Sequence, residues 1–338
     1  MRVLIIRFSS LGDCVLLCPL AAALKRSGVE EVAVVTKRAY AGLFACATGV
    51  DRVVAFEPRA SAAGLMRLAR AWRGRGHMVL DAHNTWRSRL LAARLGGAHA
   101  RFAKHYAERL GLIVLKRPAE VPTMLERYGA LAATVGVEAS LAPGGLTLPV
   151  RARTEAAGRL AGGDSFIAIA PGARWPSKRW PAERFRALVV RLAHEHGLRV
   201  LLLGDGRDRG AASGIAEALD ERCVDVTGRA SIVESAALLE RCVGFVGNDS
   251  GLMHLAEAVG VPVTALFGPT VSTFGYFPSL ERSKSVERDL PCRPCSRNGA
   301  APCPRGTREC IEGIPEATVY GAVADMLAGR GPRRYVAP

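Results

Sequence analysis

Aromatic side chains are scarce, at 6% of a 338-residue chain. Proteins that grip single-stranded nucleic acid stack bases on aromatic rings, so a stacking platform is a poor reading here. No zinc-finger spacing, recognition helix or RNP-type aromatic pattern is present either. Long apolar runs are missing as well: no stretch reaches the ~18 uninterrupted apolar residues of a membrane-spanning helix. The opening MRVLIIRFSSLGDCVLLCPLAAAL resembles a leader only superficially, because Arg7 and Asp13 interrupt it and an apolar leader core does not tolerate such charges. The expectation is a cytoplasmic protein, still able to visit a membrane face. The usual nucleotide fingerprints, G-x-G-x-x-G and the lysine-bearing phosphate loop, do not occur at the candidate site either. Internal repeats are absent.

The composition that remains is that of a folded chain, 49% hydrophobic. At roughly 100–200 residues per domain, the length predicts two domains. The formal charge is +15 and unevenly placed: residues 1–150 hold 21 Lys+Arg against 10 Asp+Glu. From Arg59 to Arg117 there are 13 basic residues, opposed by Asp81 and Glu108 alone. Such a field favours an anionic partner: nucleic acid, an anionic membrane surface or a phosphorylated substrate. Arginine-rich usage on any solvated face would account for the total, but less well for the clustering.

Short β-rich runs alternate with amphipathic helical stretches, the pattern of parallel strands joined by crossover helices. Strands are expected at Val3–Ile6, Val32–Thr36, Val53–Phe56 and Met78–Asp81, with helices at Gly12–Arg26, Ala39–Ala45, Ala60–Arg73 and Trp86–Leu95. Pro143-Gly144-Gly145 breaks the pattern and is the linker candidate. The alternation then restarts with strands at Phe166–Ala170, Arg199–Leu203, Val224–Val226, Val243–Val246 and Val263–Phe267. Helices are expected at Pro181–His196, Asp208–Leu219, Ile232–Arg241, Gly251–Val259 and Glu316–Leu327, with an irregular, Cys-rich segment after Pro269. Two doubly wound units in series predict a cleft, with ligands outside the carboxyl ends of the strands.

Three strand-to-helix loops carry candidate chemistry. Ser9-Ser10-Leu11-Gly12-Asp13 opens the first helix; Ser10 and Gly12 let a ligand approach the backbone, and Asp13 can accept a proton from a substrate hydroxyl. Alone, Asp13 reads as a first-turn acid on a helix dipole. Pro171-Gly172-Ala173-Arg174-Trp175-Pro176-Ser177-Lys178-Arg179-Trp180 follows the first strand of the second half. Its Arg174, Ser177, Lys178 and Arg179 are donors suited to a diphosphate, or else a solvated basic loop. Gly247-Asn248-Asp249-Ser250-Gly251-Leu252-Met253-His254 ends a strand and starts a helix. The helix N–H groups and the Ser250 hydroxyl suit a diphosphate, with His254 one turn along. A weaker element is Gly204-Asp205-Gly206-Arg207-Asp208, where Asp208 is placed to bind ribose hydroxyls.

Of nine cysteines, Cys14, Cys18, Cys46, Cys223 and Cys242 sit in apolar contexts. The others form Cys292-x2-Cys295-x7-Cys303-x6-Cys310. Four thiolates suit a structural tetrahedral Zn²⁺ site, an iron–sulfur cluster less well. Reduced cysteines in a Pro/Gly-rich loop are the plain alternative, and a disulfide staple a further one.

The runs RFSSLGDCVLLCPL, PGARWPSKRWPAERF and GNDSGLMHLAEAVGVPVTALFGPT, in that order, resemble glycosyltransferase family 9, the lipopolysaccharide heptosyltransferases, over nearly the whole chain. The ending CRPCSRNGAAPCPRGTRECIEGIPEATV is similar to the cysteine-bearing tail of some members. The resemblance implies an α/β fold of GT-B type, two Rossmann-like domains facing across a cleft. It implies an acceptor-binding domain at 1–145, onto which the last helix (316–328) packs back, and a nucleotide-sugar-binding domain at 146–315. It further implies an ADP-heptose donor, inverting transfer to the lipid A inner core at the inner face of the inner membrane, and no bound catalytic metal. Asp13 matches the family's general base, Lys178 a lysine at the donor phosphates, and Asp249, Ser250, Gly251 and His254 the donor-binding helix start. Members vary around Arg174 and Asp208.

The stretch Ala60–Arg73 places Leu65, Leu68, Ala69 and Trp72 on one stripe, with Arg67, Arg70, Arg73 and Arg75 elsewhere. Two uses fit it: docking on its own sheet, or lying at an anionic membrane. Competing functional readings are a family 9 transferase using another nucleotide sugar, a basic nucleic-acid-binding protein, and an inactive relative serving as a binding module.

Overall fold

The computed structural model describes residues 1–57, 62–161 and 165–338. Arg59 and Ala60, where the basic stretch and its helix were expected to begin, lie outside the described residues. The chain divides into two α/β units, residues 1–105 with 122–147, and residues 106–121 with 148–338.

In chain order the elements begin β1 (Arg2–Ile6), α1 (Leu11–Arg26), β2 (Glu31–Lys37), α2 (Ala41–Ala45), β3 (Arg52–Phe56), α3 (Ala62–Trp72), β4 (His77–Asp81), α4 (Trp86–Leu95) and β5 (His99–Arg101). The helix α5 (Tyr106–Leu110), continued by a wider π-type turn at Gly111–Leu115, belongs to the second unit; α6 (Met124–Ala133) returns to the first. The second unit continues with α7 (Val150–Arg159), β6 (Phe166–Ala170), α8 (Ala182–His196), β7 (Arg199–Leu202), α9 (Arg209–Ala216), β8 (Cys223–Asp225), α10 (Ile232–Leu239), β9 (Cys242–Asn248), α11 (Gly251–Ala258) and β10 (Val263–Phe267). It closes with β11 (Lys284–Arg288), α12 (Glu309–Glu312), α13 (Glu316–Leu327) and β12 (Arg334–Ala337).

Both sheets are parallel, in the orders β3-β2-β1-β4-β5 and β12-β11-β10-β9-β6-β7-β8. Their central strands are near-continuous apolar runs, as sheets covered by helices on both faces require. The two sheets share one winding. In the first, the chain steps outward from β1 to β2 and β3, then returns to lay β4 on the other side of β1. In the second it steps from β6 to β7 and β8, then returns to lay β9 beside β6. Each unit therefore has a crossover point, where doubly wound sheets bind ligands: β6 and β9 both lead into loops singled out above, and in the first unit β1 does.

Four expectations are corrected. The closing helix does not add its stripe to the first unit. Val319, Ala322, Val323 and Met326 of α13 are buried in the core of the second. Gly244 in β9 makes room for it, since a Cβ there would lie 2.4 Å from Met326 Cε. Residues 106–121, placed in the first domain by sequence, belong to the second unit because Leu112 and Val121 pack with Phe274. The Pro143–Gly145 segment is not a loose linker. Gly145 O accepts from Thr48 N at 2.8 Å, Thr147 N donates to Cys46 O at 2.7 Å, and a Cβ on Gly145 (φ 75°) would strike the α1 backbone at Cys18. The segment after Pro269 contains β11 and β12. Their buried Lys284, Ser285 and Glu287 removed the apolar signal, Glu287 being satisfied by Arg293 and Arg334.

The α3 stripe is also settled in its use. Leu65 and Ala69 are buried in the first unit's core, Leu68 and Trp72 pack against it, and Arg52 and Arg75 lie over the Trp72 ring. The apolar side that also fitted a membrane face is occupied by the protein itself.

Candidate active site

In the first unit the loop between β1 and α1 converges on Asp13. Its Oδ2 accepts from Ser10 Oγ at 2.6 Å and Ser10 N at 3.1 Å, and lies 2.7 Å from Arg7 Nη2. Arg7 is buried, and its Nη1 donates to Ala82 O at 2.5 Å, tying this loop to the one after β4. Gly12 is buried inside the same turn. Tyr128 on α6 donates to Asp13 O at 3.2 Å and steadies the helix start.

The neighbouring loop is shaped by Asp81, which is fully buried. Its Oδ1 accepts from His83 N and Asn84 N at 3.1 and 2.7 Å, and its Oδ2 from Ser88 Oγ at 3.0 Å. This turn sets the His83 ring against Phe8, with centroids 5.1 Å apart, and leaves His83 Nδ1 buried without a hydrogen-bond partner. Burial, reinforced by the Arg7 and Lys104 charges, pushes the His83 pKa down to about 3, so the imidazole is neutral at physiological pH.

In the second unit, Asn248 does the equivalent tying. Its buried amide donates to Pro171 O at 2.8 Å and accepts from Trp180 N at 3.0 Å, pinning both ends of the Pro171–Trp180 loop to the end of β9. The Trp180 indole, 2% exposed, anchors the loop through Nε1 to Ile314 O at 3.0 Å. Lys178 is thereby held with its ammonium 2.5 Å from Asp249 Oδ2, which also accepts from Thr270 Oγ1 at 2.8 Å. Burial disfavours the Asp249 carboxylate, but the Lys178 charge and the two hydrogen bonds outweigh it and hold its pKa below the usual carboxylate range. Ser250 is the N-cap of α11; its Oγ is buried with no hydrogen-bond partner, and Gly251 begins the helix. His254, 4% exposed, lies one turn along with its ring 6.2 Å from Tyr276.

The structure thus brings Ser10, Gly12 and Asp13 together in one unit, and Lys178, Asp249, Ser250, Gly251 and His254 in the other. Three other candidates have local occupations. Ser177 donates its hydroxyl to Gly299 O at 2.6 Å. Arg174 is exposed and stacks over Trp175. Asp208 caps its own turn through Asp205 N at 3.0 Å, with Arg179 3.6 Å away, and its pKa is raised by burial. Its carboxylate lies so close over Gly172 that a Cβ there would come within 2.2 Å of it.

A model of the family described as Glycosyltransferase family 9 (heptosyltransferase) matches residues 65–302. The chain belongs to glycosyltransferase family 9. Lipooligosaccharide heptosyltransferase 2 of Haemophilus influenzae is 32% identical over 189 residues, which cover 50% of this chain and 53% of that protein. The chain spans about half the length of the curated relatives it matches. Among solved structures, the family 9 glycosyl transferase from Veillonella parvula superposes with a TM-score of 0.80 at 20% identity, covering 97% of each chain. The ADP-heptose lps heptosyltransferase II of E. coli gives 0.76 at 23%, covering 97% of this chain and 99% of that one. The fold is that of the GT-B transferases, each unit being one Rossmann-like half.

In this family 9 chain Cys292, Cys295 and Cys303 lie near enough to Cys310 for their charges to act on its thiol. Among the described residues, no three of His, Cys, Asp or Glu are disposed to hold a metal, and all nine cysteines are free thiols. Cys310 is buried at the start of α12, with its thiol pushed up to about 11 by burial. The Cys303 thiol, though disfavoured as a thiolate by what burial it has, is drawn down by the backbone N–H groups of Arg308, Arg305, Gly306 and Thr307. Sequence reasoning missed Arg7, His83 and Thr270, and saw Asn248 only as a cap. The available signal was position: Arg7 and His83 follow parallel strands that flank the crossover point.

Proposed function

We propose that this chain transfers heptose from an ADP-activated donor to a sugar of the lipopolysaccharide inner core, by a direct displacement that inverts the anomeric centre without a catalytic metal. The observation that carries the reading is the corner where Lys178, held against Asp249, adjoins the start of α11 with its unpartnered Ser250 hydroxyl. A helix start and a lysine are the fixed donors that a diphosphate needs. A buried hydroxyl without a partner costs roughly 1–3 kcal/mol, which a phosphate oxygen accepting from it would offset. The names of a relative, a lipooligosaccharide heptosyltransferase, and of a fold neighbour, an ADP-heptose transferase, agree with this chemistry.

In the proposed step, Asp13 takes the proton of the acceptor hydroxyl as that oxygen bonds to the anomeric carbon. The bond from that carbon to the diphosphate breaks, its electron pair leaving with ADP. Lys178 and the α11 N–H groups stabilise the charge that gathers on the leaving group, where fixed donors act most strongly. Arg7, 2.7 Å from Asp13 Oδ2, holds that carboxylate in place. A weak base suffices because the attacking hydroxyl becomes acidic as its new bond forms. The net charge of the first 150 residues, 21 Lys+Arg against 10 Asp+Glu, suits an acceptor bearing phosphates and carboxylates.

Calorimetry with ADP-heptose, ADP-hexoses and UDP-sugars, followed by mass spectrometry of products formed on an inner-core acceptor in excess EDTA, tests the reading. Tightest binding and transfer with ADP-heptose is expected, undiminished by EDTA. Preferential transfer from an ADP-hexose would select a different donor, and loss of turnover in EDTA would overturn the metal-free step.

A further inference from the structure

Exposed large hydrophobic side chains are normally scattered singly over a protein surface. Here four of the ten that the described residues expose fall within one stretch, Tyr106, Leu110, Val114 and Leu115, each between 50% and 65% exposed. They lie on α5 and the π-type turn that continues it. The spacing of four between Tyr106, Leu110 and Val114 puts these three on one face.

The opposite face is fastened down. Leu112 packs with Val121 and Phe274, and the Arg109 guanidinium lies 4.7 Å over the Phe274 ring while donating to Arg297 O at 3.0 Å. Lys116, which ends the turn, donates to Cys292 O and Pro294 O at 2.9 and 2.6 Å. The segment is therefore apolar on both sides, with one side used by the second unit and the other presented outward on a fixed support. Its rim is cationic. Lys116 and the exposed Arg117 follow the apolar row, and Arg297 lies over Tyr106. Glu108 is the sole acid between residues 106 and 117.

We infer that this face docks on an anionic phospholipid bilayer, Leu110, Val114 and Leu115 entering the headgroup–acyl boundary while Arg117 and Arg297 meet lipid phosphates. An apolar row with a basic rim is the arrangement that binds in the interfacial plane. The rim also argues against a second copy as the occupant, because two copies paired through this face would set like charges against one another. The inference concerns the segment's own chemistry and stands whichever nucleotide sugar is the donor. A lipid-linked acceptor, as in the proposed function, gives the docking a purpose.

Flotation with vesicles of 30% phosphatidylglycerol in phosphatidylethanolamine, and with pure phosphatidylcholine vesicles, at 0.1 M salt tests this on the full chain. The wild type should float with the anionic vesicles at least tenfold more than with the zwitterionic ones. L110E/V114E should lose at least tenfold, and R117Q/R297Q should lose the preference for anionic lipid. ADP binding by calorimetry should be unchanged in both variants, showing that they fold. Arg151→Gln, on exposed α7, should float as the wild type does. Equal flotation of wild type and L110E/V114E would overturn the proposal. So would a wild type that does not float, or one that light scattering finds dimeric and that L110E/V114E makes monomeric.

Discussion

The Lys178 ammonium and the Asp249 carboxylate form a salt bridge with only about a tenth of either side chain exposed, at the end of β9 where α11 begins. Breaking a buried pair by removing one partner costs about 3–5 kcal/mol. Lys178→Met should therefore lower the denaturant midpoint by that order and weaken ADP binding at least tenfold. Lys178→Met with Asp249→Asn should recover much of the stability and none of the affinity. Recovery of both would make the lysine a structural element only. Because Asp249 has a lowered pKa, the pair's contribution is complete above the ordinary carboxylate range near pH 4 and is lost only as acid carries the pH down through the lowered folded value. Asp249→Asn should thus leave the shape of the stability curve between pH 5 and 8 unchanged.

Asp13 stands in a different electrostatic setting, held by the Arg7 guanidinium. Asp13→Asn should keep ADP-sugar affinity within about twofold and reduce turnover by about 10²–10⁴, the usual contribution of a positioned base. Single-turnover measurement with saturating donor separates these. A wild-type rate would remove Asp13 from the mechanism.

His83 predicts a pH effect. An unfolded histidine takes up a proton near pH 6.5, whereas the folded one resists protonation down to about 3. The unfolded state binds more protons throughout that window, so stability falls as pH falls through it. Between pH 7 and 5 this one group should remove on the order of 1–2 kcal/mol. His83→Gln should flatten the loss measured by urea unfolding at the two pH values. An unchanged slope would mean that the imidazole is protonated in the native state.

Gly172→Ala tests the packing of the Pro171–Trp180 loop. The new methyl would meet the Asp208 carboxylate at about 2.2 Å, and inserting a methyl into a closed site costs about 1–3 kcal/mol. Asp208→Ala made in the same chain should relieve most of that cost. If the single variant melts with the wild type, Asp208 can swing away freely.

Much of the fold could be read from the residues alone, for a plain reason. Strands buried on both faces must be apolar throughout, and helices covering them must be apolar on one side. Phe166–Ala170, Val263–Phe267, Trp86–Leu95 and Glu316–Leu327 were accordingly expected at the bounds they adopt. The elements not anticipated lack that signature. The strand β11 buries Lys284 and Glu287 because ion pairs satisfy Glu287, and β5 is three residues long with its ends exposed. The site was legible at its capping residues, Asp13, Asp249 and Ser250, which must stand at helix starts. Its supporting residues were not. Nothing local marks Arg7 as Asp13's partner, or Asn248 as the clasp on Pro171, because those contacts join segments 6 and 77 residues apart in sequence.

The excursion of residues 106–121 has a consequence for how the protein is made. That segment leaves the ribosome well before Phe274 and Arg297, the groups that hold its inner face. Until they arrive, both of its apolar sides face water or whatever surface lies nearby. The two units are therefore not separable cassettes. A fragment ending at residue 147 would carry an orphaned apolar helix, and one beginning at residue 148 would leave Phe274 uncovered.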